Sequence, residues 1–177
     1  MIGIKRLNLA RRGKKIATHL VGGKMKCAEA QMLIRKPVAE VFEAFIDPAL
    51  TKHFWFTKGS DRLAINKTVI WEWEMYNFSA QVVVKEIVEN SRIVIEWFTA
   101  EKPTTVEFDF KTLSSGFTFV SIKHYGFDKV GDELLEAIKD STAGFTIVLA
   151  GLKAFLEHNI DLNLIADKFP KELAPNG

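Results

Sequence analysis

The chain has 177 residues, 47% hydrophobic and 26% charged, which excludes a disordered polymer and leaves room for one well-buried domain. Its single cysteine, Cys27, excludes an intrachain disulfide framework, so a reducing, cytoplasmic setting is expected. The net charge of +2 is uneven: eight basic residues and no acid lie between Lys5 and Lys26, leaving 16 basic against 22 acidic residues beyond position 27, a net near −6.

Residues 1–27 therefore read as a basic leader without regular structure, and MKCAEAQM offers a second starting methionine at Met25. A basic arm suits nucleic acid, an anionic membrane or an import receptor, but each reading lacks a part. The arm has no aromatic side chain to stack on a base, Gly3 is misplaced for myristoylation, and the serines of a transit peptide are missing. Nucleic acid is not an expected partner. No apolar run approaches the roughly 20 residues of a membrane span, and no membrane association is expected.

AEAQMLI, from Ala28, has strand character and stops at Arg35-Lys36-Pro37. Proline at a first helical position predicts a helix over PVAEVFEAFID, with Val38, Val41, Phe42, Phe45 and Ile46 on one face. Pro48 ends it, and ALTKHFW reads as a second short helix. The period then changes to two. In TVIWEWEMYNF, Val69, Trp71, Trp73 and Met75 share one strand face, and Thr68, Glu72 and Glu74 share the other. AQVVVKEIV, RIVIEWF, TTVEFDFKTL and GFTFVSIKHY continue the alternation across short polar links, which predicts an antiparallel meander. From Gly131, GDELLEAIKDSTAGFTIVLAGLKAFLEHNID places Leu134, Ile138, Ser141, Phe145, Val148, Leu152 and Phe155 at helical spacing, one long amphipathic helix. A sheet with one apolar face must be covered, and this helix is the only element large enough to do so. A cavity is expected where the short helices close the remaining gap.

The stretches PVAEVFEAFIDPALTKHFW, TFVSIKHYGF and GFTIVLAGLKAFLEHNIDLNL together resemble the activator-of-heat-shock-ATPase homologue branch of the START-like (SRPBCC) superfamily, whose wider membership includes the birch-pollen allergen type and polyketide cyclases. The resemblance runs from about Ala28 to Leu164. It implies an α+β helix-grip fold, a curved antiparallel sheet wrapped around a long C-terminal helix, with two short helices after the first strand. On that basis residues 28–169 form the START-like ligand-binding domain and residues 170–177 a frayed tail. Where the family usually has Gly-Trp in the last helix, this chain has Gly144-Phe145.

Catalytic signatures are missing. There is no G-x-S-x-G elbow, no H-E-x-x-H, no G-x-G-x-x-G and no phosphate loop, and the four histidines have no metal-ligand spacing, so neither a cofactor nor a metal is expected. The acid pairs Glu72/Glu74 and Glu107/Asp109 oppose the apolar face and read as solvated exterior. His124 shares the inward face with Thr118, Val120 and Ile122, where it can contact a ligand, act as a base or sit bonded in the core. The expected ligand-binding residues are Trp55 at the cavity rim, Trp71 and Trp73, and Trp97 beside Ile93 and Ile95. Phe108, Val120, Ile122 and His124 follow on the later strands, and Phe145 and Leu149 on the helix.

The favoured function is the binding of a small hydrophobic or aromatic molecule between sheet and helix, with no catalytic residue assigned. Two alternatives follow from the resemblance: an interaction protein that co-activates a chaperone ATPase, and a cyclase- or hydratase-type enzyme using His124 as base. A homodimer is left open.

Overall fold

The computed structural model describes residues 20–21, 24–99 and 102–170. Most of the expected leader lies outside them; within it, β1 (Leu20–Val21) pairs antiparallel with β2 (Lys24–Met25). Of the expected tail only Pro170 is described.

β3 (Ala28–Ile34) runs into Pro37, which sits one residue earlier than the sequence predicts: it is the N-cap of α1 (Val38–Ile46), with an extended ψ of 148°. Asp47 ends α1 and caps α2 (Pro48–Thr51) by accepting from Ala49 N at 2.8 Å, with Pro48 supplying a first turn that needs no N–H. The second helix is shorter than ALTKHFW. Turn hydrogen bonds from Phe54 N and Trp55 N to Thr51 O carry the chain from it into the core.

Seven strands form one antiparallel sheet in the order β3-β9-β8-β7-β6-β5-β4. They are β4 (Lys58–Gly59), β5 (Thr68–Trp73), β6 (Phe78–Val88), β7 (Arg92–Phe98), β8 (Thr104–Thr112) and β9 (Thr118–Tyr125), with β3 closing on β9 from Ala28 opposite His124 to Ile34 opposite Thr118. A register shift between Val84 and Glu86 interrupts the β6–β7 ladder, a device that bends and twists a sheet. β5 is shorter than expected. It stops at Trp73, and a 3₁₀ turn over Glu74–Tyr76 leads to Asn77 in the left-handed region at φ 49°, so Met75 leaves the strand face it was assigned.

The concave face is aromatic. Phe42 and Phe45 of α1 meet Phe110 at 5.3 and 5.5 Å between ring centroids, and Phe45 meets Phe108 at 5.2 Å. The 28-residue α3 (Gly131–His158) lays Phe145, Val148, Leu149 and Leu152 into this face and ends at Asn159, a left-handed C-cap. On the opposite face Arg92 bonds Asp109 and Glu107, and Tyr125 donates to Glu107, which puts both acids on the exterior as their alternation predicts. Gly151 marks a close approach of α3 to the segment after α2: a Cβ there would lie 3.2 Å from Phe54 Cβ and 3.3 Å from Phe54 O. Gly151→Ala is expected to lower stability by about 1–2 kcal/mol in urea unfolding, because backbone cannot yield as a flexible side chain can.

Candidate functional site

The strict alternation of β9 buries Thr118, Val120, Ile122 and His124 together, with His124 next to the strand's last residue. Burial makes its ring nitrogens need partners. Nδ1 lies 2.7 Å from Ser141 Oγ on α3, and Nε2 lies 2.7 Å from Thr104 Oγ1 on β8. Thr104 Oγ1 also reaches Trp97 O at 3.3 Å. A hydroxyl has one proton to give, and the assignment that makes the most bonds runs Ser141 O–H to Nδ1, Nε2–H to Thr104 Oγ1, and Thr104 O–H to Trp97 O. Ser141 Oγ then acts as the donor of this pair and accepts no bond from the imidazole. Burial pushes the His124 pKa down to about 4, so the ring is neutral near pH 7.

Beside this chain of bonds lies a cavity of about 300 Å³ between sheet and α3. Trp97, Thr99 and His124 form its sheet wall, with Phe127 just beyond β9; Ala137, Asp140, Ser141, Gly144, Phe145 and Val148 form its helix wall. Trp55 closes one end with Ile165, which comes from α4 (Leu164–Lys168), a short helix that the sequence reading did not foresee. The Tyr76 hydroxyl donates to Ile165 O and holds that segment. A wider, more polar opening of about 530 Å³ shares Thr99, His124, Phe127 and Ala137 and adds Lys102, Asp128 and Lys129. Among the described residues no Lys or Arg lines the inner cavity.

Four of the ten residues singled out in the sequence line this cavity: Trp55, Trp97, His124 and Phe145. The other six, Trp71, Trp73, Phe108, Val120, Ile122 and Leu149, are buried in the core without lining it. Trp73 stacks on Trp97 at 6.0 Å and 22°, and it is Trp97 that meets Phe145 of α3. Trp97 meets His124 at 5.7 Å and Phe145 at 6.1 Å, and its indole Nε1 is buried with no hydrogen-bond partner among the described residues. Sequence reasoning placed Ser141 on the inward helix face but assigned it no part in the site. Val148 shares that inward face and Gly144 stands where the family usually has Gly-Trp, yet neither was assigned to the site; Thr99, Thr104, Phe127 and Ile165 carry no sequence signal of their own, since only tertiary packing brings them here.

Among the described residues no group of three or more His, Cys, Asp or Glu side chains is placed to hold a metal, and no helix is long and apolar enough to cross a membrane.

Solved structures show the same architecture. A protein from Staphylococcus saprophyticus matches with a TM-score of 0.68 at 25% identity, over 77% of this chain and 96% of its own. The Aha1 dimer from Colwellia psychrerythraea, solved in solution, matches with a TM-score of 0.64 at 17% identity, over 76% and 98%. CalU16 from Micromonospora echinospora matches with a TM-score of 0.60 at 16% identity, over 78% and 79%. Comparison with curated proteins gives no match. The sequence model of the activator of Hsp90 ATPase homolog 1-like proteins matches residues 35–157, from the end of the first sheet strand to the last turn of α3. With the helix-grip architecture in place over the same span, the chain belongs to the activator of Hsp90 ATPase homolog 1-like family.

Proposed function

We propose that this chain binds a small, neutral, largely aromatic molecule in the cavity between sheet and α3. The observation that carries the reading is the lining: four aromatic rings, Trp55, Trp97, Phe127 and Phe145, surround a space of about 300 Å³ that has one polar end, Ser141 with His124. That volume is at the small end of ligand sites, which suits a guest of two or three rings. The binding unit is residues 28–169, with residues 1–27 as a leader.

Polarity narrows the guest. Because the Ser141 proton is committed to His124, the polar end offers an acceptor, and it favours a guest that brings its own hydroxyl proton. In tryptophan-fluorescence titrations 2-naphthol is expected to bind about three- to tenfold more tightly than 2-methoxynaphthalene, the contribution of one net hydrogen bond. Equal affinities would remove the polar end from the reading, and no saturable signal from either would remove the binding function.

A cyclase- or hydratase-type reaction with His124 as base is the second reading. A neutral imidazole beside a hydroxyl at the cavity wall favours it, while the lowered pKa and the bonding of His124 to Ser141 and Thr104, with no carboxylate partner among the described residues, weigh against it. His124→Ala that keeps 2-naphthol binding but abolishes turnover of a polyketide-like substrate would establish the enzyme. Chaperone co-activation rests on the family description alone, and a pull-down with the chaperone tests it. The Colwellia relative is described as a dimer, and native mass spectrometry tests whether this chain pairs too.

A further inference from the structure

We propose that Gly144 is a specificity position of this cavity: a planar guest lies against the bare backbone of α3 at Gly144, and any side chain there would hold it off. The proposal rests on the binding function proposed above and names the surface the guest uses. Glycine in a helix interior is unfavourable relative to alanine, so its presence asks for a reason. Gly151, one heptad later in α3, has one, since a Cβ there would crowd Phe54, 3.2 Å from its Cβ and 3.3 Å from its backbone O. At Gly144 no such reason shows among the described residues: beyond its own helix backbone and chain neighbours a Cβ would meet none of their atoms within 4 Å, and the residue sits well inside the helix with no left-handed φ to satisfy.

The direction of the missing Cβ follows from helix geometry. Positions three and four apart share a face, and Gly144 stands three after Ser141 and four before Val148, both of which line the cavity. The open space at Gly144 is therefore cavity space, facing the sheet wall that carries Trp97 and His124. A flat ring makes closer contact with a bare stretch of helix backbone than a branched aliphatic guest does. With no Lys or Arg among the described lining residues and the Asp140 carboxylate on the lining, the guest class is a neutral fused-ring aromatic with a hydroxyl directed at Ser141.

Gly144→Ala separates this from ordinary packing. The variant is expected to melt about 2–4 °C above the wild type, because helix propensity improves and nothing is struck. Its affinity for 2-naphthol is expected to fall about tenfold or more, the usual effect of one carbon intruding on a ring-sized site. A higher melting point with unchanged 2-naphthol affinity would overturn the role of Gly144 and leave the binding function standing. A lower melting point would also overturn it, by showing that the space is not open. Failure of the wild type to bind 2-naphthol would overturn both.

Discussion

Trp71→Ala is expected to cost on the order of 3–5 kcal/mol, the largest loss from any single truncation in this fold. Trp71 is only 2% exposed and stands at the centre of an aromatic cluster. It stacks on Phe56 at 4.9 Å, meets Trp55 at 4.7 Å and presents an edge to Trp97 at 6.2 Å. The three partners come from the segment after α2 and from β7, so the surrounding backbone cannot collapse into the void from one side. Total stability for a domain of this size is about 5–15 kcal/mol, and the loss is a large part of it. Urea unfolding measures it, with Trp71→Phe expected to recover most of the difference. A loss below about 2 kcal/mol would mean that the cluster relaxes into the gap. The contrast with Trp55 is informative, because Trp55 borders the cavity: Trp55→Ala should weaken 2-naphthol binding, whereas Trp71→Phe should leave it nearly unchanged.

The second large effect is acid sensitivity from His124. Its folded pKa of about 4 lies below the ordinary 6.5, so between those values the unfolded chain binds the proton and the folded chain does not. Stability is therefore fully present above pH 6.5, falls as the pH drops toward 4, and by then has lost on the order of 3 kcal/mol through this group. Carboxylates add their own terms at the acid end, so the informative quantity is the difference from His124→Gln, which cannot titrate. Urea midpoints at pH 7, 6, 5 and 4.5 should show a steeper decline for the wild type. Parallel declines would mean that the ring already accepts a proton in the folded protein.

The elements were legible because their periods are strong. Alternation in RIVIEWF, TTVEFDFKTL and TFVSIKHY gave the strand faces, and the helical spacing from Leu134 to Phe155 gave α3, since one buried face leaves a residue-by-residue imprint. What alternation cannot report is where a strand stops being a strand. Met75 continues the period after Trp73 but lies in a 3₁₀ turn, where Asn77 adopts a left-handed conformation that lets β5 turn back to β6. The site was less legible than the fold. Inward-facing residues such as Trp71, Phe108 and Leu149 and cavity-lining residues such as Trp97 and Phe145 have the same sequence signature, because lining a space and filling it both demand apolar side chains. Ser141 shows the other half of the difficulty: a serine on an apolar helix face gains meaning only when the fold sets it 2.7 Å from a buried imidazole seventeen residues away.

The clustering of Trp55, Trp71, Trp73 and Trp97 also makes the protein its own optical instrument. The chain has four tryptophans, and all of them lie in one group linked by ring separations of 4.7–6.2 Å. Indoles this close share their excitation, so emission and near-ultraviolet circular dichroism come from the group as one coupled chromophore. Two of its members, Trp55 and Trp97, touch the cavity, and Trp97 lies against His124. A guest arriving, an imidazole gaining charge and the sheet coming apart should therefore each leave a distinct spectral mark, readable on unlabelled protein with no tryptophan elsewhere to dilute it.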